Sequence, residues 1–322
     1  MRILIVGPTP TGSRGGNRVS ALRWARMLRA EGHRVRIAAE FAAQPCDLAI
    51  ALHARRSHGF IAAFRAAHPA RPLVVVLTGT DLYRDLKSSA RARASLELAS
   101  QLVVLHPLGA ERVPARFRGK VRAIVQSAEP LTQPISRHGR WFDICVAGHL
   151  RPEKDPFRAA LAARGLPEGS RIRIRHAGGA LSAAMEERAQ REMVRNPRYR
   201  WLGELPRWRA RRVMAASRAL ALTSRMEGGA NVISEAVAMG LPILASRIHS
   251  TVGLLGGDYP GYYPVGDTAA LCDLLLRAER DPGFLEGLAA HIRRLAPRFA
   301  PAKEQRAWAR LVSEALRSAS AR

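Results

Sequence analysis

The sequence predicts an α/β protein built from two parallel-sheet domains, and three observations support this prediction. Short apolar runs alternate with helical segments, the alternation stops at residues 129–141 and then resumes, and 322 residues exceed what one hydrophobic core usually organises. Continuous apolar strands that alternate with helices are typical of a parallel sheet covered on both faces. Each half of the chain is therefore expected to contain one such sheet.

The first half begins with a strand, a glycine-containing loop and a helix. The apolar run at residues 3–6 ends at Gly7 and Pro8, and the amphipathic segment 19–30 closes at Gly32. Further apolar runs, with helical stretches between them, predict strands at residues 35–38, 48–52, 73–77, 102–105 and 121–125. The first domain should therefore span residues 1–128.

A change of composition separates the two halves. Residues 129–141 read EPLTQPISRHGRW, a stretch rich in proline, serine and charge that has no apolar periodicity. Such segments are typical of linkers between domains. The second domain is accordingly expected at residues 142–302.

The second half repeats the alternation of strand and helix. Apolar runs predict strands at residues 142–147, 172–176, 199–202, 220–223 and 242–245, and helices at 180–194, at 208–215 and between the last two strands. The final segment, 303–322, has helical spacing of its apolar residues and is expected either to pack back on the first domain or to lie on the second. Two Rossmann-like domains would bind ligands at the carboxyl ends of their strands.

Charge and composition exclude several classes of protein. The formal net charge of +26 would suit a nucleic acid, but arginines occur in every segment and no helix-turn-helix, RNP or zinc-finger pattern accompanies them. We therefore expect no nucleic-acid partner, whereas a small anionic substrate is compatible with the charge. Cys46, Cys145 and Cys272 lie far apart and predict neither a zinc site nor a disulfide framework.

The chain also lacks sequence signals for membranes and secretion. No apolar stretch approaches the roughly 20 residues of a membrane span, and the N-terminus begins directly with a strand-like run. We expect a cytoplasmic protein without stable membrane insertion. Nothing in the sequence indicates an oligomeric state.

The most informative segment is EGGANVISE, residues 227–235. Gly228 and Gly229 allow close backbone approach, and the helix that follows them favours an anion at its N-terminus. Glu227 precedes this turn and Glu235 lies one to two helical turns beyond it, so the two carboxylates suit sugar and ribose hydroxyls. Acidic residues at the start of an ordinary helix explain the spacing equally well.

This segment resembles the Glu, seven residues, Glu signature of the retaining GT-B glycosyltransferases often called family 4. Residues 8–35 are similar to that family's N-terminal loop and helix, and GHLRPEKDP, residues 148–156, is similar to its GRLxxxKG element. The resemblance implies two Rossmann-like domains whose parallel sheets face each other across an interdomain cleft. It also implies a UDP-sugar as co-substrate and no other cofactor.

The resemblance further implies a donor site. In this family the Arg and Lys of GRLxxxKG hold the diphosphate and balance the charge of the leaving nucleotide. Lys154 matches the lysine, whereas the arginine position holds His149, which is largely uncharged at neutral pH, so that Arg151 is the nearest replacement. This departure leaves retention or inversion at the anomeric carbon open. The implied donor residues are Gly15, Gly16, His149, Arg151, Lys154, Glu227, Gly228, Gly229, Ala230, Asn231 and Glu235.

A closer resemblance is to the selenosugar synthases of selenoneine biosynthesis. The segments that are similar are ALHARRSHG, GTDLYRDL, GHLRPEKDP, PRYRWLGELPRWRARR and YPGYYPVGDT. They imply transfer of a sugar, typically N-acetylglucosamine, from a UDP-sugar to selenophosphate, with formation of a carbon–selenium bond and release of UDP and phosphate. The choice between N-acetylglucosamine and glucose stays open.

Two loops of the first domain suit an anionic acceptor. They follow the strands at residues 48–52 and 73–77 and so reach the ligand edge of one sheet, and they offer guanidinium groups, hydroxyls and a glycine turn. A solvated loop and a helix cap are the alternative interpretations of these two segments. Two further residues come from the glycine-containing loop after the strand at residues 3–6. The predicted acceptor residues are Asn17, Arg18, Arg55, Arg56, Ser57, Thr78, Gly79, Thr80 and Asp81.

His53, Lys154 and Glu227 are the predicted catalytic residues. An anionic selenium nucleophile needs a strong general base less than a sugar hydroxyl does, so His53 is expected to position groups or to transfer a proton, with His106 as the second candidate. The sequence contains no Asp-any-Asp motif and no His/Cys cluster, so we predict no catalytic metal.

Two other functions are compatible with the sequence. The first is a family 4 glycosyltransferase that acts on a glycan, a lipid or a small alcohol. The second belongs to another class, a non-catalytic protein that binds nucleotides or nucleic acid.

Overall fold

The computed structural model describes residues 1–8, 15–38, 45–131, 135–136 and 139–320. The chain divides into two compact units. The first consists of Met1–Ser127, Gly228–Asn231 and Ala300–Arg322, and the second of Ala128–Glu227 and Val232–Phe299. Each unit contains one six-stranded sheet in which every pair of neighbouring strands is parallel. The predicted α/β class with two parallel sheets is confirmed.

The sheet of the first unit has the order β2-β1-β3-β4-β5-β6. Its strands are β1 (Arg2–Val6), β2 (Arg34–Ala38), β3 (Leu48–Leu52), β4 (Leu73–Leu77), β5 (Gln101–Val104) and β6 (Val121–Ala123). The α-helices in the described residues between these strands are α1 (Gly16–Ala30), α2 (His58–Ala67), α3 (Leu86–Ser88) and α4 (Ala90–Leu98). Helix α3 continues from a π-helical turn, Asp81–Asp85.

The sheet of the second unit has the order β12-β11-β10-β7-β8-β9. Its strands are β7 (Phe142–Ala147), β8 (Ile172–Ala177), β9 (Tyr199–Trp201), β10 (Ala219–Leu222), β11 (Ile243–Ser246) and β12 (Tyr262–Tyr263). The helices are α5 (Arg158–Arg164), α6 (Ala183–Arg195), α7 (Arg207–Ala216), α8 (Asn231–Ala238), α9 (His249–Leu255), α10 (Thr268–Arg280) and α11 (Pro282–Leu295). The apolar pattern does not predict β12, because a two-residue strand has no measurable period.

The last helix, α12 (Pro301–Ser320), belongs to the first unit. One face of the first sheet packs against α2 and α4 through residues such as Leu4, Phe64 and Leu96, and the opposite face packs against α1 and α12. On that face the rings of Trp24 and Trp308 lie 4.7 Å apart between centroids, and both are fully buried. The sheet is therefore covered on both sides, as its continuous apolar strands predict.

The ends of the strands predicted from the sequence lie within two residues of the observed strand ends. Helix α1 begins at Gly16, three residues before the predicted start, because Gly15 and not a later residue adopts the extended N-cap conformation. The described residues of the predicted linker, 129–131, 135–136 and 139–141, form neither helix nor strand. Residues 9–14 of the predicted first loop lie outside the described residues. No helix among the residues described is long and apolar enough to cross a lipid bilayer.

Candidate functional site

Lys154 and Glu227 form an ion pair at the carboxyl ends of two neighbouring strands. Lys154 follows β7 and Glu227 follows β10, and these strands pair in the second sheet. Ser224 Oγ also donates to Glu227 Oε1 at 2.7 Å, and Thr223 Oγ1 donates to the Lys154 carbonyl at 2.9 Å. Glu227 is 8% exposed, and 18% of the Lys154 side chain is exposed. The fold thus holds one lysine cation at the ligand edge of the sheet, balanced by a buried carboxylate.

His176 supports the loop that leads from β7 to this lysine. Its Nε2 lies 2.9 Å from the Gly148 carbonyl, and its Nδ1 lies 3.1 Å from the Tyr199 hydroxyl. Since a carbonyl only accepts, Nε2 carries the proton and the tyrosine donates to Nδ1. Complete burial lowers the pKa of His176 to about 4, so the ring is neutral. The sequence signal for His176 is a histidine within a predicted strand. It was not predicted as a functional residue because it belongs to none of the family motifs.

His149 and Arg151 occupy different environments on the same loop. The Gly179 amide donates to His149 Nδ1 at 3.2 Å, which requires an unprotonated nitrogen there. At the position where the family pattern has arginine, this chain therefore has a histidine that accepts a backbone amide. Arg151 Nε is buried and has no hydrogen-bond partner among the described residues. Arg151 is the arginine of this loop, two residues beyond the position where the family pattern has arginine.

Glu235 lies on the second turn of α8 and is paired with a cation. Arg207 Nε, from the first residue of α7, donates to Glu235 Oε1 at 2.9 Å. The Glu235 side chain is mostly buried, whereas Arg207 is exposed. A hydroxyl that binds Glu235 would therefore share this carboxylate with a guanidinium, which fixes the orientation of its oxygens.

Gly228 and Gly229 are required for close packing inside the first unit. A Cβ at Gly228 would lie 2.2 Å from the Thr78 carbonyl oxygen, and one at Gly229 would lie 2.4 Å from Leu105 Cβ. Neither glycine is among the positive-φ residues of the described chain. The need for glycine here comes from backbone approach, and it brings the segment Gly228–Asn231 against the loop that follows β4.

Asp81 joins the two loops that follow β3 and β4. Its fully buried carboxylate accepts the backbone amides of Ala54 (2.9 Å), Thr78 (2.9 Å) and Gly79 (2.8 Å). Ser57 is likewise buried, and its hydroxyl donates to the Leu52 carbonyl at 2.6 Å. These two predicted acceptor residues thus have structural bonds, and the helix-cap interpretation of Asp81 is replaced by a tie between loops.

His53 adopts a left-handed backbone conformation, with φ of 74°, on the first of these loops. The Arg56 amide donates to its Nδ1 at 3.3 Å, so Nε2 carries the proton and donates to Thr80 Oγ1 at 2.9 Å. Burial lowers the pKa of His53, although the Asp81 carboxylate opposes this shift. A non-glycine residue in this conformation costs about 1–3 kcal/mol. The strain and the bonds together hold the hydroxyl of Thr80 in place.

Three arginines lie on or next to the loops that follow β3 and β4. Arg55 and Arg56 are exposed, and Arg55 Nη1 lies 3.4 Å from Asp85 Oδ1, which also accepts from Arg84 Nε at 3.2 Å. Asp85 is buried, and although it lies within the segment GTDLYRDL, it was not among the predicted acceptor residues. His106, the second candidate histidine, is fully buried with Nε2 2.6 Å from the Tyr83 hydroxyl.

The start of α1 contacts the segment Gly228–Asn231, called the glycine segment below. Asn231 Nδ2 donates to the Gly16 carbonyl at 3.4 Å and to Ser20 Oγ at 3.3 Å. Gly15 is the N-cap of α1 and, as a glycine, has no side chain with which to cap the helix. The first unit therefore gathers Gly15, Gly16, Asn17, Arg18, Gly228, Gly229, Ala230, Asn231 and the loops after β3 and β4. The second unit holds His149, Arg151, Lys154, Glu227 and Glu235.

The three cysteines are free, and Cys46 and Cys145 are buried. Within the described ranges, no group of three or more His, Cys, Asp and Glu side chains is arranged to hold a metal ion.

A comparison with protein families matches residues 133–293, half of the chain, to "Glycosyl transferases group 1". The chain belongs to this family. The match includes the loop with His149, Arg151 and Lys154 and the whole EGGANVISE segment. A search of curated protein sequences gives no significant match.

Solved structures show the fold of this group 1 glycosyl transferase. Anabaena HepE, solved in complex with UDP and glucose, is 16% identical with a TM-score of 0.78, covering 98% of this chain and all of that one. Sucrose-phosphate synthase from Thermosynechococcus elongatus is 14% identical with a TM-score of 0.79, covering 98% and 99% of the two chains. The lipopolysaccharide outer core galactosyltransferase WaaB is 13% identical with a TM-score of 0.70. These similarities establish the GT-B fold.

Proposed function

We propose that this group 1 glycosyl transferase moves a sugar, N-acetylglucosamine in the first instance, from its UDP derivative to selenophosphate. The products would be a selenosugar, UDP and phosphate. Support for a UDP-linked donor comes from HepE, which has been solved with UDP and with UDP-glucose. Support for the acceptor comes from the segments ALHARRSHG and GTDLYRDL and their resemblance to selenosugar synthases.

The donor half of the proposal rests on the loop after β7 and on the two glutamates. Lys154 would balance the charge that develops on the leaving diphosphate, because a cation fixed in advance stabilises that charge without reorganisation. Arg151 would replace the missing family arginine. Glu227 and Glu235 would accept hydrogen bonds from the hydroxyls of the sugar and the ribose.

One observation carries the proposal, namely the backbone contact between Gly228 and the loop at Thr78 and Gly79. It joins the glycine segment, which belongs to the donor motif, to the loop that bears the predicted acceptor residues. Both lie in the first unit. An acceptor bound by the loops after β3 and β4 would therefore lie next to a part of the donor site.

The chemistry needs little from a general base. A selenium lone pair would attack the anomeric carbon, and the electron pair of the carbon–oxygen bond would leave with UDP. Water would then cleave the phosphorus–selenium bond and release phosphate. Arg55 and Arg56 would attract the anion, while His53 would orient the Thr80 hydroxyl toward it. His53 therefore acts in this proposal as a positioning residue.

The test incubates the purified chain with UDP-N-acetylglucosamine or UDP-glucose and selenophosphate. Mass spectrometry should reveal a sugar carrying the selenium isotope pattern, and the product should fall sharply in the double variant Arg55→Ala/Arg56→Ala. Arg195→Ala, which removes an exposed arginine from α6 in the second unit, serves as control. Absence of a selenosugar with either donor would overturn the proposed acceptor.

Two further arms separate the alternatives. Replacing selenophosphate by a glycerol or oligosaccharide acceptor tests the wider family function, and transfer to these alone would favour it. The proposal includes independence of divalent metals, so activity should survive excess chelator. A strict requirement for magnesium would contradict this part.

A further inference from the structure

We propose that Glu304, on the C-terminal helix α12, is a positioning residue for the nucleotide-sugar site and acts through Arg23 on Asn231. The inference rests on the proposed UDP-sugar donor, because Asn231 ends the glycine segment of the donor motif. All three residues belong to the first unit. Asn231 lies 208 residues from Arg23, and Glu304 lies 281 residues from it.

Glu304 is the buried carboxylate on which this network is built. Its side chain is fully enclosed and accepts from Trp24 Nε1 (2.7 Å), the Ser127 amide (2.7 Å) and the Ser127 hydroxyl. Arg23 adds Nε at 2.9 Å and Nη2 at 3.3 Å. Both carboxylate oxygens are thus engaged, and a buried charge held in this way has one fixed orientation.

Arg23 passes this orientation on to the glycine segment. Its third nitrogen, Nη1, donates to Asn231 Oδ1 at 2.9 Å. Since the amide oxygen of Asn231 is fixed by the guanidinium, its nitrogen faces the Gly16 carbonyl and Ser20 Oγ. The planar guanidinium makes these contacts on two sides at once, which a lysine ammonium does not reproduce.

Gln126 reinforces the same segment. It is buried, and its side-chain amide satisfies its neighbours when the nitrogen donates to the Gly229 carbonyl (2.7 Å) and to Asn231 Oδ1 (3.2 Å). In that orientation its oxygen lies 3.3 Å from Arg23 Nη2. The backbone of the glycine segment is therefore bonded to a side chain that also contacts Arg23.

A purely structural role explains the network less well. Helix α12 is already held by the apolar contacts of Trp308, Leu311 and Val312 with the first sheet and α1. Burying an ion pair contributes little net stability, because desolvation offsets the attraction, whereas removing one partner strands the other charge. Removal of the Glu304 charge should therefore redirect Arg23 and release Asn231, while the helix stays packed.

The experiment measures UDP affinity by titration calorimetry for the wild type, Glu304→Gln and Glu314→Gln. Glu314 is the matched control because it lies on the same helix and pairs with Arg122 at 3.0 Å, outside the network. We expect Glu304→Gln to weaken UDP binding at least tenfold and Glu314→Gln to change it less than twofold. Equal affinity in the wild type and Glu304→Gln would overturn the positioning role alone, while no UDP binding by the wild type would overturn the proposed donor as well.

A second pair of variants covers the case in which Glu304→Gln does not fold. Arg23→Lys keeps a cation beside Glu304 and should weaken UDP binding about as much as Asn231→Ala does. If Arg23 acts through Asn231, the double variant should bind no more weakly than Asn231→Ala. Additive losses in the double variant would overturn the proposal.

Discussion

Lys154 is paired with Glu227, so a ligand that binds the lysine would share its positive charge with that carboxylate. The pair is mostly buried, and Ser224 Oγ donates to the same Glu227 oxygen that lies next to Lys154. In the proposed reaction, a leaving diphosphate would meet a lysine whose position is set before the substrate binds, and fixed charges of this kind are usually the largest single contribution to transition-state stabilisation.

Replacing Lys154 by alanine should lower kcat by about 100-fold or more, the usual cost of losing one fixed charge or donor at the transition state. Glu235→Ala should mainly raise KM for the UDP-sugar, because a hydroxyl contact is made in the ground state as well. Steady-state kinetics with varied donor distinguish the two effects. Unchanged kinetics in both variants would remove the proposed donor site.

His176 provides a prediction about pH. Its pKa of about 4 in the folded state lies below the ordinary value of 6.5, so between these values the unfolded chain binds more protons. The free energy of unfolding should then fall as the pH drops from about 6.5 toward 4, by at most ~1.4 kcal/mol per pH unit from this residue. Denaturant unfolding of the wild type and His176→Gln measures this, and the difference between them should shrink as the pH falls. Parallel curves for the two proteins would contradict the assignment.

At the scale of elements, the glycine segment is shaped by what it packs against. Residues 228 and 229 need glycine because the loop after β4 and Leu105 after β5 leave no room for a Cβ. The motif EGGANVISE therefore combines two requirements. Its glutamates are the residues proposed to bind the donor, and its glycines allow close contact with another part of the chain.

Gly228→Ala should disturb this contact, because its Cβ would meet the Thr78 carbonyl at 2.2 Å. We expect UDP affinity to fall at least tenfold and the free energy of unfolding to fall by about 1–3 kcal/mol, the usual cost of overpacking. Gly59→Ala is the matched control, since nothing lies within 4 Å of its Cβ and it sits in α2. That variant should be neutral or stabilised by up to about 1 kcal/mol. Calorimetry and denaturant unfolding provide both numbers, and equal behaviour of the two variants would refute the packing argument.

At the scale of the molecule, the C-terminal helix completes the core of the first unit. Trp308 packs against Trp24 with the two rings tilted by 47°, and it is fully buried, with its Nε1 unpartnered among the described residues. The first sheet therefore depends on residues that lie at the other end of the chain from β1.

Trp308→Ala should lower the free energy of unfolding by about 3–5 kcal/mol, as expected for a large buried ring. Trp208→Ala, at a ring that is 59% exposed, should change it by no more than about 0.5 kcal/mol. Trp308→Phe should lose less than the alanine variant, because it removes an indole N–H that has no partner. Denaturant unfolding measures all three, and similar losses at positions 308 and 208 would contradict the assigned role of α12.

The sequence by itself determined the α/β class, the positions of most strands and the glycosyltransferase family. These depend on local information, namely the period of apolar residues and the spacing within EGGANVISE and GHLRPEKDP. The strand β12 and the supporting role of His176 were missed, since one is too short to show a period and the other matches no motif.

Only the tertiary structure decided which residues hold the site together. Asp81 accepts amides from two loops, Gly228 lies against Thr78, and Glu304 reaches Asn231 through Arg23. The bond between Thr78 and Asp81 is local. The other contacts join residues that are far apart in sequence. Local pattern carries no information about such pairs, because burial and distance are set only when the sheets and helices have packed.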